Sequence, residues 1–420
     1  MMKRFLFLPI FFLLFALTGC DASSTESTVQ AYEATIESCD EDDTTETQGL
    51  TVGEKLEDFE YLFNIIASNY PFLEMNKRQH GVNWIANKDD YIERLQETEG
   101  DLKYYIVLNN IVKDLNYDHT SVFNNTGYAN VLRTYKNVML EPWLEVLEDP
   151  VVQSRYLNAV KDEDQDNVTE AQEKSGDLIL DKWDETSTAY IKISSFNRFN
   201  IEEDWGKMQP FINDLDDIHS LIIDIRGNGG GDTTYWTDYL VPELISESKE
   251  SSKYFCFRGG EYSEPFIISR LGYKYSDMEV IDEAFIKAFS TGLPAEIKTD
   301  FKYYITDTML INPIDDEGYL GDIYLLVDRY VSSSSQSFMQ FMSDTDLAYI
   351  IGEPTAGEGS GFDPLLLRLP NSGYVIRFPG VMVLNSEGAN IEETIVNPDL
   401  LVDTNIALEK AIELIKINNE

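Results

Sequence analysis

Two short stretches of this chain carry residue types that hydrolytic chemistry uses. The first is Arg226-Gly227-Asn228-Gly229-Gly230-Gly231, with four glycines in five positions. Such a turn bends sharply and presents bare N–H groups, a nest able to hold an oxyanion. A glycine turn can also cradle phosphate, but no Lys-Ser or Lys-Thr pair follows this one. The second stretch is Ser332-Ser333-Ser334-Ser335, after which Phe338, Phe341 and Met342 recur at helical spacing. A serine at the head of a helix meets positive potential and free N–H donors, as a nucleophile and its oxyanion require. Helix capping is the plainer use of the same run, and it employs one or two of the four hydroxyls.

Both stretches follow apolar strands. Leu221–Ile225 leads into the glycine turn and Ile323–Val327 leads through Asp328-Arg329-Tyr330-Val331 into the serines; both read as strands buried on two faces. Ala189–Ile193 alternates like a strand, Ala348–Ile351 is a further one, and Asn200 with Glu203 reads as a helix cap before Trp205 to Leu215. Strands alternating with helices predict an α/β core over residues 176–408 with its site at the strand ends. Residues 246–316 interrupt the alternation as an insertion or lid, whose Tyr254, Phe255, Phe257, Tyr262 and Phe266 serve as substrate wall or as core.

Upstream, Phe59, Leu62, Phe63 and Ile66 recur at helical spacing and stop before Tyr70-Pro71. With amphipathic stretches at Tyr91–Leu95 and Tyr105–Leu115 they predict a small helical domain, 50–125, which delivers the chain to Asn116-Tyr117-Asp118-His119-Thr120. Residues 126–175 form a connecting segment. In it Asp162, Asp164, Asp166 and Glu173 have the spacing of a calcium loop, but Asn167 stands where the sharp turn wants glycine, so a solvated acidic loop is the competing reading. Residues 409–420 read as a tail or terminal helix.

The chain has 420 residues with 32 Lys+Arg against 75 Asp+Glu, a formal charge of −43 that repels nucleic acid. Met1-Met2-Lys3-Arg4 followed by the apolar Phe5–Leu17 reads as a signal peptide over 1–19. Leu17-Thr18-Gly19-Cys20 resembles a bacterial lipobox, which implies a lipid on Cys20, an acidic Ser/Thr-rich tether over 20–49 and a place in the cell envelope, anchored on the extracytoplasmic side of a bacterial membrane. Cys39 and Cys256 alone give no disulfide framework, and whether they pair is open. No cofactor and no metal site is indicated.

Taken in order, the segments Asp224-Ile225-Arg226-Gly227-Asn228-Gly229-Gly230-Gly231, Asp328-Arg329-Tyr330 with its serine turn, Gly352-Glu353-Pro354-Thr355-Ala356-Gly357 and Asn397-Pro398-Asp399 resemble the C-terminal-processing (tail-specific) proteases and the tricorn core protease. The resemblance covers roughly 56–120 and 176–403. It implies a serine peptidase with a crotonase-like ββα catalytic core, acting on peptide or protein substrates. By that pattern the nucleophile is Ser333, five residues after Asp328, and Ser334 supplies the following backbone N–H beside Gly229 or Gly230. The processing proteases pair the serine with a lysine 25 residues later; here that position is Glu358, which cannot act as a neutral amine. The tricorn-like branch uses a histidine ahead of the glycine loop, and Asp118-His119-Thr120 is similar to its motif. His80 and His219, the other two histidines, have no motif behind them. The branch also places a glutamate shortly before the terminal Pro-Asp, which is Glu392, with Glu393 and Glu358 as competitors for assisting His119. Little room is left for the peptide-binding PDZ module that processing proteases often carry. A non-catalytic peptide- or hydrophobe-binding scaffold and an envelope esterase or amidase remain as rival readings.

Overall fold

The computed structural model describes residues 49–117, 119–156, 178–289, 292–355, 361–393 and 398–418. The signal peptide, Cys20, Cys39, the acidic calcium-like run and Glu358 lie outside the described residues. Among the described residues thirteen strands follow in chain order: β1 (Ser121–Val122), β2 (Leu178–Trp183), β3 (Thr188–Ile193), β4 (Ser220–Asp224), β5 (Lys249–Phe257), β6 (Glu279–Val280), β7 (Tyr303–Ile311), β8 (Asp322–Val327), β9 (Tyr349–Gly352), β10 (Leu365–Arg368), β11 (Val375–Phe378), β12 (Met382–Leu384) and β13 (Leu400–Leu401).

The central sheet runs β13-β9-β8-β4-β3-β2, parallel except for the antiparallel edge pair β2–β3. The middles of its inner strands β4 and β8, Leu221–Ile223 and Ile323–Val327, are apolar because both faces are covered. On one side Leu221, Ile223, Ile323, Leu325 and Val327 pack with Met208, Trp236, Phe338 and Phe341 from the helices that follow the strands. On the other, Ile222, Tyr324 and Leu326 pack against Ala407, Ala411 and Ile415 of the C-terminal helix Ala407–Asn418. The helix after β3 runs Ile201–Ile212 with Pro210 inside it. Asn200 stands at its N-cap position, but its side chain makes no capping hydrogen bond to the helix.

The N-terminal helix Val52–Asn69 is fixed at its start by a capping box, Thr51 with Glu54, and ends where Pro71 forbids continuation. Its Phe59, Leu62 and Ile66 are fully buried, each contributing about 1.5–3 kcal/mol as an upper bound. Their core is shared. It takes in Leu365, Leu367, Ile376 and Phe378 of the antiparallel sheet β1-β11-β10 and also Phe266, Phe285 and Phe301 of the insertion. Three more helices, Asn125–Val138, Trp143–Leu147 and Pro150–Arg155, belong to the same core through Tyr128, Trp143 and Val152.

The insertion holds most of a second antiparallel sheet, β12-β5-β7-β6, to which β12 returns from far along the chain. Phe255 and Phe257 are buried in a small core of their own, and Cys256 is buried and free. No helix among the described residues is long and apolar enough to cross a membrane.

Candidate active site

Because β4 and β8 are adjacent and parallel, the turns at their C-terminal ends lie side by side, the place where open α/β sheets put their sites. The junction is stitched by polar contacts. Asp328 Oδ1 accepts from Gly227 N at 3.0 Å and from Tyr330 N at 3.0 Å. Ser332 Oγ donates to Gly229 O at 3.2 Å. The fully buried Asn228 uses its amide oxygen to accept from Gly230 N at 2.9 Å and Ser335 Oγ at 2.6 Å, while its amide nitrogen donates to Ile193 O at 3.0 Å. Behind the turn Arg226 forks onto buried Asp224, Nε to Oδ1 at 2.8 Å, and its Nη1 reaches Thr404 O at 2.6 Å, which fastens the chain's C-terminal segment to the sheet.

The four serines thus have separate fates. Ser332 and Ser335 are tied to the glycine turn, and Ser334 Oγ accepts from Trp236 Nε1 at 3.1 Å. Ser333 alone of the four has an unpartnered buried hydroxyl. It stands at the N-cap of the helix Ser334–Asp344 but makes no capping bond, and its backbone has φ 55°, ψ −127°. A non-glycine residue there is strained by about 1–3 kcal/mol, and such strain at a strand-to-helix turn is how a nucleophilic serine is thrust forward. The capping reading does not account for Ser333.

In the two adjoining turns the N–H groups of Gly229 and Ser334 have no protein acceptor among the described residues. The Gly230 N–H is already given to Asn228.

His119 lies half-buried in the turn before β1, its ring 5.9 Å from that of Tyr117. β1 pairs with β11, and Arg377 Nε donates to Ser121 Oγ at 3.0 Å, so this turn is anchored to the three-stranded sheet. Glu392 acts by its charge on Tyr70. The buried Tyr70 hydroxyl is held well above its usual range first by burial and also by the Glu392 charge, with the Thr120 hydroxyl opposing the shift. Tyr70 thus lies within the field of the Glu392 charge. Glu393 faces elsewhere: Arg78 grips it at 3.0 and 2.7 Å and grips buried Glu296 at 2.8 and 2.6 Å. The structure does not join His119 to Ser333, whose Oγ has no hydrogen bond. Nor are His80 and His219 part of the arrangement; His80 ends the helix Leu73–His80 and His219 O accepts from Asp322 N beneath the sheet. Among the described residues no group of His, Cys, Asp and Glu forms a metal site.

The profile of peptidase family S41 matches residues 187–402, just over half of the sequence. The chain belongs to peptidase family S41. It is a serine-type peptidase, and the resemblance carried by its four motifs is borne out. Among solved structures, this S41 peptidase superposes on a candidate peptidase from Parabacteroides merdae at 18% identity and TM-score 0.55, covering 86% of this chain and 96% of that one. It superposes on mature CPAF complexed with lactacystin at 15% identity and TM-score 0.52, covering 88% and 99%. At these identities both show the shared fold. Among curated proteins, none matches.

Sequence reasoning singled out the two turns but not Asn228, Tyr70, Arg78 or Gln336. Asn228 was readable as the one non-glycine inside the glycine run. The other three owe their roles to contacts across long stretches of chain, for which the sequence carries no local signal.

Proposed function

We propose that this S41 peptidase hydrolyses peptide bonds with Ser333 as nucleophile, His119 as its base and Glu392 supporting the imidazole. In this reading the Ser333 oxygen attacks the scissile carbonyl and its proton passes to His119. The N–H groups of Ser334 and Gly229 then hold the tetrahedral oxyanion. The single observation that carries the assignment is the strained, unpartnered Ser333 at the head of its helix, set against the glycine turn of the neighbouring parallel strand. Gly230 serves the site through its shape, since its N–H is spent on Asn228. Glu392 is preferred over Glu393 because the latter is neutralised by Arg78.

The strand-helix order around β4, β8 and β9 is consistent with a crotonase-like core. The lipobox-like Leu17-Thr18-Gly19-Cys20 supports lipid anchoring at Cys20 on the extracytoplasmic face of a bacterial membrane, with peptides or proteins of that compartment as substrates.

A fluorophosphonate label should modify wild-type protein at Ser333, and Ser333→Ala should abolish both labelling and peptide cleavage with Tm retained. Undiminished cleavage by Ser333→Ala removes Ser333 from the mechanism. A normal kcat/KM in His119→Ala removes the histidine.

A further inference from the structure

One turn beyond Ser333, the same face of its helix opens into a cavity of about 40 Å³. Gln336 enters it from the helix. That side chain is 2% exposed, and both its amide oxygen and its amide nitrogen lack any hydrogen bond. Leaving a buried amide unpaired costs free energy that a protein ordinarily avoids, so such a group in a cavity wall points to a ligand that completes it. The amide oxygen of Gln340, a turn further on, is also unpartnered. Its nitrogen is committed to Asp344 Oδ1 at 2.7 Å, which fixes the oxygen as a vacant acceptor. Asp344 in turn receives Ser251 Oγ on its other oxygen and has no cationic partner among the described residues. Burial pushes its carboxyl above the usual range, and the charge of Glu387 adds to the shift. The lining thus offers two amide oxygens and a carboxylate with no cation, while Met309, Phe341 and Ile391 supply apolar walls. Lys253 and Asp307, also in the lining, pair with each other at 3.6 Å.

We propose that this cavity is a specificity subsite for the primary ammonium of a lysine side chain on the substrate residue whose carbonyl Ser333 attacks. Three acceptors in one lining match the three donors of an ammonium. The apolar walls match its methylene stem. A helix rise of 1.5 Å per residue sets Gln340 about 10 Å beyond Ser333, and helical side chains lean back toward the N-terminus, so an extended lysine on a carbonyl seated at Ser333 reaches the acceptors. A formal charge of −43 draws basic peptides toward the protein in the first place. Ile391 is adjacent to Glu392, so the subsite lies between the serine's helix and the turn that carries the supporting glutamate.

The inference deepens the proposed function and rests on Ser333 being the nucleophile. Its test is cleavage of matched peptides in which the residue before the scissile bond is lysine, norleucine, glutamine or arginine, with Ser333→Ala as the control in every assay. Wild type should favour lysine over norleucine by at least about tenfold in kcat/KM, the discrimination a charged hydrogen bond supplies. Gln336→Leu and Asp344→Asn should each move the lysine-to-norleucine ratio toward unity. Ser333-dependent cleavage with norleucine equal to or better than lysine overturns the subsite and leaves the nucleophile standing. Cleavage that persists in Ser333→Ala overturns the nucleophile and the subsite with it.

Discussion

Gly230 lies so close to Ser333 that a Cβ on the glycine would stand 2.8 Å from the Cβ of the serine. The same atom would be 2.9 Å from Ser332 O and 3.0 Å from Ser334 N, and Gly230 has φ +101°. Two of those three neighbours are backbone atoms of the turn that presents the nucleophile and an oxyanion donor, so they cannot yield without displacing the site.

Gly230→Ala should therefore lose at least about tenfold in kcat/KM and about 1–3 kcal/mol of stability. Gly229→Ala is the contrast. Its Cβ would find only Ser332 Oγ, at 3.9 Å, and alanine keeps the backbone N–H. That variant should hold its Tm and most of its activity. Equal losses from the two substitutions, measured by thermal melts and steady-state cleavage, would show that the crowding at Gly230 is not what shapes the turn.

Strain at Ser333 predicts a stability gain on removing it. Glycine occupies φ 55°, ψ −127° without penalty, whereas alanine keeps the Cβ that makes it costly. Ser333→Gly should be more stable than Ser333→Ala by about 1 kcal/mol, both being inactive, which chemical denaturation with a common slope would resolve. A glycine variant less stable than the alanine one would mean that the turn is not strained.

How much of this was legible in the chain depends on how local the signal is. β4 and β8 could be read because Leu221–Ile225 and Ile323–Val327 are continuous apolar runs bounded by turn residues, and the two turns followed directly from them. The helix Val52–Asn69 announced itself by Phe59, Leu62 and Ile66 and by Pro71. The core that joins it to Leu367, Ile376 and Phe301 gave no such sign, because burial shared between segments some 200–300 residues apart leaves no periodicity in either. β12 escaped notice for the same reason: three residues, Met382–Leu384, pair with Tyr254–Cys256. Gln336 was hidden differently. A polar residue between Ser335 and Ser337 on an amphipathic helix looks like part of the solvated face until its burial is known.

The Arg78 fork makes a prediction about the Glu392 turn. Glu296 is 3% exposed and depends on Arg78 for its charge balance, so Arg78→Met leaves a buried carboxylate unpaired, a loss of about 3–5 kcal/mol. It also releases Glu393, three residues from Asn390, whose amide nitrogen donates to Glu393 Oε2 at 3.3 Å. The double variant Arg78→Met with Glu296→Gln should recover most of the Tm but not kcat, because the turn carrying Glu392 stays unclamped. Full recovery of kcat in the double variant would assign Arg78 a purely structural role.

Asp344 predicts a pH-dependent stability with a defined sign. Burial raises its folded-state pKa above that of the unfolded chain, so the folded protein binds this proton more tightly. The stability tied to that proton is fully present below the ordinary carboxylate range and is lost as pH rises through the raised folded value. Asparagine carries no such charge. Asp344→Asn should therefore melt at the same temperature as wild type under acidic conditions and at a higher temperature near neutrality, with the gap opening as pH climbs out of the carboxylate range. A lysine-bearing peptide that fills the neighbouring cavity should narrow that gap by stabilising only the wild type, because the ligand then supplies the cation that Asp344 lacks. Thermal melts across pH, with and without such a peptide bound to the Ser333→Ala protein, read both effects. A constant gap at every pH would show that Asp344 is not destabilised by its own charge.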